Sequence, residues 1–125
     1  MHYLLKTEPT AYSFADLLRE KETDWTGVTN PTAVKNLRAM KKGDKLVIYH
    51  SNIGKAAVGL AKVVSVDATD PKNPNVRIAP IKPLKREKPL AEIREAPVFK
   101  GSILFRQFRL SVVPLTEDQY DWLVS

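Results

Sequence analysis

The chain has 125 residues, a mass of 14.1 kDa, a formal net charge of +6 and no cysteine. That length matches one domain able to bury a core without staples. The missing thiols exclude disulfides, thiolate catalysis and Cys-based zinc sites, and fit an intracellular protein. No apolar run approaches the roughly 20 residues of a membrane span, and residues 1–6 lack the charged start and long apolar core of a secretion signal. A soluble, cytoplasmic protein without a membrane partner is expected. The basic balance, with a sequence pI near 9.6, invites an anionic partner, because clustered Lys and Arg attract phosphates and release their counterions. The cations crowd the second half, from Lys82 through Arg94 to Arg109. A solvated surface would look the same.

Residues 3–7 read as a short strand closed by Glu8-Pro9, since proline cannot donate to a sheet ladder. Alternation sets Lys6 and Glu8 on one face, Leu5 and Thr7 on the other. Ser13-Phe14-Ala15-Asp16 has the form of a capping box opening a short helix that ends near Lys21. Residues 23–28 show no period but hold Trp25, one of two tryptophans. A lone Trp in a loop is usually a core plug, and its alternative role is a stacking platform for a planar ligand. Asn30-Pro31 starts a second helix, with Asn capping and Pro at the first helical position. That helix runs through Ala33, Leu37 and Met40 and is expected to close at Gly43 in the left-handed conformation.

Residues 45–67 form the central hairpin. Leu46-Val47-Ile48-Tyr49 is apolar on both faces and belongs in the middle of a sheet. Asn52 and Gly54 supply the positive φ a tight reversal needs. On the return strand Ala57, Gly59 and Ala61 leave one face nearly bare, which suits a packed helix or a flat ligand. Residues 68–75 are a surface loop, and 76–84 are extended, with Pro80 and Pro83 confining them to an edge or a bulge. Residues 85–89 read as a basic connector, 90–96 as a helical turn or two ended by Pro97, and 99–108 show no clear period. Residues 109–115 form a last strand stopped by Pro114, and Thr116-Glu117-Asp118-Gln119 caps a final helix on which Trp122 serves as a plug. Helices and strands do not alternate as βαβ units. An α+β fold is expected, a mostly antiparallel, partly closed barrel with short peripheral helices.

Catalytic signatures are mostly absent: no phosphate-binding glycine loop, metal-binding His-Glu-x-x-His or nucleophile elbow occurs. His2, near a fraying terminus, and His50 make a poor metal pair, so no metal or cofactor is expected. Together the Lys6–Glu8 face, Trp25, Asn30 and the strand end Tyr49-His50-Ser51 offer a flat surface with donors and acceptors, as reading an unstacked base requires.

The chain resembles the EVE domains of the PUA-like group, relatives of the YTH readers of methylated adenine. The likeness runs from 1 to 125 as a single domain. It is carried by Leu4-Leu5-Lys6-Thr7-Glu8-Pro9, Tyr12-Ser13, Trp25-Thr26-Gly27-Val28, Asn30, Gly43-Asp44, Tyr49-His50-Ser51-Asn52 and Arg109-Leu110-Ser111-Val112. The resemblance implies a pocket for a modified base, a modified cytosine such as 5-methylcytosine, in DNA, in RNA or as a free nucleoside. Around it would stand Lys6, Thr7, Glu8, Trp25, Asn30, Tyr49, His50, Ser51, Arg109 and Ser111, with Trp25 resembling the cage tryptophan of the YTH readers. Thr29 and Val34 stand where the family pattern has arginines, and Tyr3 where it often has Trp. Binding without catalysis is the leading expectation. The alternatives are an amidohydrolase-like enzyme acting on a modified nucleoside through Lys6, Thr7 and Glu8, and a scaffold whose cleft takes another protein.

Overall fold

The computed structural model describes residues 1–107 and 109–125; Phe108, the last of the aperiodic stretch, lies outside the described residues. In chain order come β1 (His2–Thr7), α1 (Phe14–Glu20), β2 (Thr23–Trp25), α2 (Pro31–Ala39), β3 (Lys45–His50), β4 (Ala56–Asp67), β5 (Asn75–Pro89), α3 (Leu90–Glu95), α4 (Ile103–Arg106), β6 (Val112–Leu115) and α5 (Glu117–Val124). A 3-10 turn at Pro97–Phe99 separates α3 from α4. The strands form one curled sheet in the order β2-β5-β4-β3-β1-β6, antiparallel except for the β1–β3 pair. The α+β half-barrel with short peripheral helices matches the expectation from the sequence.

β3 lies inside the sheet, as its apolar run requires, and Leu46, Val47, Ile48 and Tyr49 are all buried. Each such side chain contributes on the order of 1.5–3 kcal/mol of hydrophobic stabilisation. The reversal after β3 uses positive φ at Asn52 (73°) and Gly54 (70°). The bare face of β4 is filled by a side chain: a Cβ added at Gly59 would clash with the ring of Phe14. Phe14 is the first residue of α1, which the Ser13–Asp16 capping box starts, so the small residue on β4 admits the helix. A second capping box, Thr116 with Gln119, starts α5. Asn36 Nδ2 donates to the Val112 carbonyl at 2.8 Å and fastens α2 to β6.

Other expectations change. Residues 23–25 are a strand: β2 pairs with β5 at the sheet edge, and three residues are too few to show a period. Arg77 straps the two together, its Nε 2.7 Å from Glu22 and its Nη1 3.0 Å from Asp24. These pairs are half exposed, so each contributes at most about 1 kcal/mol. α2 ends at Ala39 with an extended Met40, and Gly43 (φ 91°) serves the turn into β3, where its N–H donates to the Val63 carbonyl at 2.9 Å. The edge-or-bulge expectation for Pro80 and Pro83 is met: β5 meets β2 over Val76–Ile78, so both prolines lie where its outer edge has no strand partner among the described residues and its register with β4 shifts. Residues 85–89 continue that strand instead of forming a connector.

Within them Lys88 is buried, its Nζ 2.6 Å from the Ser125 main-chain oxygen and 5.7 Å from the Trp122 ring centroid. Burial pushes its ammonium pKa down and Arg86 adds to the shift, while Glu92 opposes it. Pro114 does not stop β6, because β6 is an edge strand and proline occupies a position that needs no outer partner. Part of the aperiodic stretch is α4, capped by Ser102. His2 does not fray: it lies in β1, stacked on Tyr120 at 4.0 Å with Nε2 2.7 Å from Glu117. No helix among the described residues is long and apolar enough to cross a membrane.

Candidate functional site

The ends of β1 and β3 organise the site. In their parallel register Lys6 stands beside Tyr49 and Thr7 beside His50. Successive strand residues point to opposite faces, so the two pairs look out on opposite sides of the sheet. Ser51 N–H donates to the Thr7 carbonyl at 2.9 Å and keeps the two ends together beyond the last strand residues.

On the Thr7 side, α1 covers the sheet. His50 Nε2 accepts the Phe14 N–H at 3.0 Å, so this nitrogen is unprotonated and the ring works as a peg for the first turn of α1. Burial lowers the pKa of His50, and the nearby Glu87 acts weakly in the other direction. Thr7 Oγ1 donates to the Tyr12 carbonyl at 2.7 Å. Beside these groups opens a recess of about 200 Å³ lined by Thr7, Tyr12, Thr23, Asp24, Trp25 and Thr26.

Trp25 is only 8% exposed, yet it is not sealed in. It walls this recess and also a second hollow of about 280 Å³, shared with Gly27, Leu37, Asn73 and Asn75. Its ring meets Tyr12 edge to face, centroids 6.2 Å apart. The Tyr12 hydroxyl is enclosed and makes no hydrogen bond among the described residues, although Thr23 and Glu20 are near enough to influence its ionisation. Burial raises its pKa, so it remains a neutral donor at physiological pH.

On the opposite side a recess of about 260 Å³ is bordered by Lys6, Tyr49, Ser51, Lys55, Arg94 and Phe105. Burial lowers the pKa of the half-buried Lys6 ammonium. The Arg94 guanidinium lies over Phe105, 5.6 Å from the ring centroid, and its charge lowers the Tyr49 hydroxyl pKa against a larger upward effect of burial.

The ten residues expected around one pocket are therefore divided. Thr7 and Trp25 share one recess, while Lys6, Tyr49 and Ser51 share the other. His50 is committed to α1. Asn30 is exposed and its side-chain oxygen accepts from Thr32 N at 2.9 Å and Ala33 N at 3.1 Å, which is the capping role. Glu8 is exposed, and its main-chain oxygen accepts from the amides of Ala11 and Tyr12. Arg109 is exposed, and Ser111 accepts the Lys6 N–H through its carbonyl at 2.9 Å; neither lines either recess. Lys6 and Thr7 line different recesses, and Glu8 lines neither. Thr29 and Val34 border a shallow depression with Arg38 and Lys72, where Arg38 Nη1 donates to the Pro71 carbonyl at 2.7 Å.

Sequence reasoning missed Tyr12, Lys55, Arg94 and Phe105 as lining residues. Tyr12 was within reach, because a hydrogen bond from Thr7 across the Glu8-Pro9 turn returns the chain to the strand end. Arg94 and Phe105 arrive from helices far along the chain and carry no local signal.

All 125 residues match the EVE domain family. Human thymocyte nuclear protein 1 is 30% identical over 99% of this chain and 72% of its own length. The structure of the human THYN1 protein in complex with 5-methylcytosine-containing DNA is 30% identical, with a TM-score of 0.86, covering 98% of this chain and 95% of that one. A Rhodopseudomonas palustris protein is 34% identical, with a TM-score of 0.89, covering 98% of this chain and 90% of that one. The fold alone, PUA-like as expected, is shared with an ASCH protein of Zymomonas mobilis at 11% identity and a TM-score of 0.59, covering 98% of this chain and 96% of that one. By whole-chain match and by its similarity to these relatives, the chain belongs to the EVE domain family.

Proposed function

We propose that the protein is a non-catalytic module that binds a modified base, a modified cytosine, in the recess walled by Trp25. The observation that carries the reading is the join of the Trp25 indole with the Tyr12 ring, edge to face, at one small opening. Its volume of about 200 Å³ lies below the roughly 300–1,000 Å³ of pockets that take drug-sized ligands. Such a recess suits one heterocycle and leaves sugar and phosphate outside, which is the geometry of an extruded base. Trp25 offers apolar ring surface, and Tyr12, Thr23 and Thr26 offer donors and acceptors for the base edge. The complex of the human relative with 5-methylcytosine-containing DNA supports the choice of base.

The test is direct binding of short oligonucleotides that differ only in methylation of one cytosine. Preference for the methylated strand is expected, and Trp25→Ala should weaken it by roughly 1–3 kcal/mol, the contribution of one stacked base. Trp25→Phe, which retains a ring, should lose less. A folded Trp25→Ala protein that binds the methylated strand as tightly as the parent would overturn the reading.

A further inference from the structure

Trp25 belongs to two hollows at once. The recess of about 200 Å³ and the neighbouring hollow of about 280 Å³ have Asp24, Trp25 and Thr26 in common, so this short stretch of chain is all that divides them. The rest of the second wall is of a different kind. Half-buried Val28 and buried Leu37 and Pro74 make it apolar, and Asn73 and Asn75, both at exposed positions, add side-chain amides. No lysine or arginine lines it among the described residues, and its carboxylate, Asp24, is paired with Arg77 Nη1 at 3.0 Å. A phosphate placed here would meet a carboxylate and no lining cation. A neutral heterocycle would meet apolar surface for its faces and donors and acceptors for its edge.

The loop that supplies the asparagines is held in shape. The Asp70 carboxylate accepts the Lys72 N–H and the Asn73 amide, each at 3.1 Å, and Arg38 Nη1 donates to the Pro71 carbonyl at 2.7 Å. Arg38 follows Leu37 on α2, so the helix and the loop that build the hollow are fastened to one another. Gly27 takes φ 79° and has open space where a Cβ would stand, which lets a ligand approach its backbone closely.

We infer that this hollow receives the base of the nucleotide next to the modified one, with Trp25 between the two bases. The inference rests on the Trp25 reading and names its ligand more closely: a strand of at least two nucleotides, not a free nucleoside. The modified base occupies the first recess, and its neighbour adds contact with Val28 and Pro74 and an edge for Asn73 or Asn75. Asparagine suits that task, because its amide offers a donor and an acceptor side by side. The linking phosphate stays in solvent, since neither hollow has a lining cation among the described residues.

The experiment titrates the full chain with 5-methyl-2′-deoxycytidine and with dinucleotides in which methylated or unmethylated cytosine has a base or an abasic sugar as its 5′ or its 3′ neighbour. Calorimetry gives the affinities, and NMR follows the Val28 methyl resonances. In one of the two orientations the neighbouring base should tighten binding about fivefold or more over the abasic sugar, the lower end of what one stacked base contributes. The same dinucleotide should move the Val28 methyls further than the nucleoside does. Asn73→Ala and Asn75→Ala, both exposed changes, should each reduce that gain and leave the affinity for the nucleoside within about twofold.

A base and an abasic sugar that bind equally in both orientations, while methylated dinucleotides are still preferred, would overturn this inference and leave the Trp25 recess in place. A gain that survives both asparagine variants without moving Val28 would put the neighbouring base elsewhere and overturn it as well. Equal binding of methylated and unmethylated dinucleotides would overturn both readings together.

Discussion

Thr7 and Lys6 are neighbours in β1, yet they open onto different chemistry. The Thr7 side is closed by α1 through Phe14 and His50 and holds a small recess lined by Trp25, Tyr12, three threonines and Asp24, with no lysine or arginine among its described lining residues. The Lys6 side is covered by α3 and α4 and holds a wider, cationic one. The difference teaches that a strand end with polar residues in sequence is two half-sites, because the pleat deals alternate side chains to alternate faces. What each half-site becomes depends on which helix the chain brings to that face. On one face the helix follows β1 directly; on the other, both helices come from far along the chain.

The largest expected effects lie under α1. Phe14 fills the space that Gly59 leaves, so Phe14→Ala should cost roughly 3–5 kcal/mol of stability. Gly59→Ala, which pushes a methyl into a rigid ring, should cost about 1–3 kcal/mol. The double variant should lose less than the sum, since the vacated ring space admits the methyl. Urea denaturation of all four proteins measures the coupling. Arg94→Met on the other face is an exposed change and should stay within about 0.5 kcal/mol of the parent. Equal losses on both faces would break the contrast between a helix seated on a buried ring and a cation at the exposed rim of a recess.

The same division explains what was legible. The two capping boxes, Asn30-Pro31, the buried run of β3 and the Asn52–Gly54 reversal were readable because each is set by residues within a turn of one another. The three-residue β2, the continuation of β5 through Lys88 and the short α4 were not, since pairing and burial with distant segments decide them. Trp25 was identifiable as a candidate from its rarity and its loop. That His50 is spent on starting a helix, and that Lys6 faces away from Trp25, needed the sheet register.

An intermediate effect is expected at Tyr12. Its hydroxyl is enclosed without a hydrogen bond among the described residues, a state that costs stability unless something else uses the group. Tyr12→Phe should therefore leave stability unchanged or raise it slightly. It should weaken the methylated oligonucleotide by about 0.5–1.5 kcal/mol, the net contribution of one hydrogen bond. A variant that loses stability and keeps its affinity would assign the hydroxyl to the fold and remove it from the recess.

The smallest effect is one of pH, and it sharpens the comparison because it belongs to the Thr7 side. His50 must be unprotonated at Nε2 to accept the Phe14 N–H, and burial holds its folded pKa below the ordinary 6.5. As the pH falls through 6.5, the unfolded chain takes up this proton first. The bond's contribution is thus fully present above that value, declines below it, and stops declining once the folded histidine is protonated as well. Thermal melts of the parent at pH 7.5, 6.5 and 5.5 should show stability falling with acidity. In His50→Gln, whose amide oxygen can accept the same N–H without titrating, the fall should be shallower. The loss at pH 5.5 should remain smaller than that of Gly59→Ala at neutral pH, because losing one hydrogen bond to α1 costs less than displacing the ring on which the helix sits. Identical pH slopes in the two proteins would mean that α1 is held by Phe14 alone.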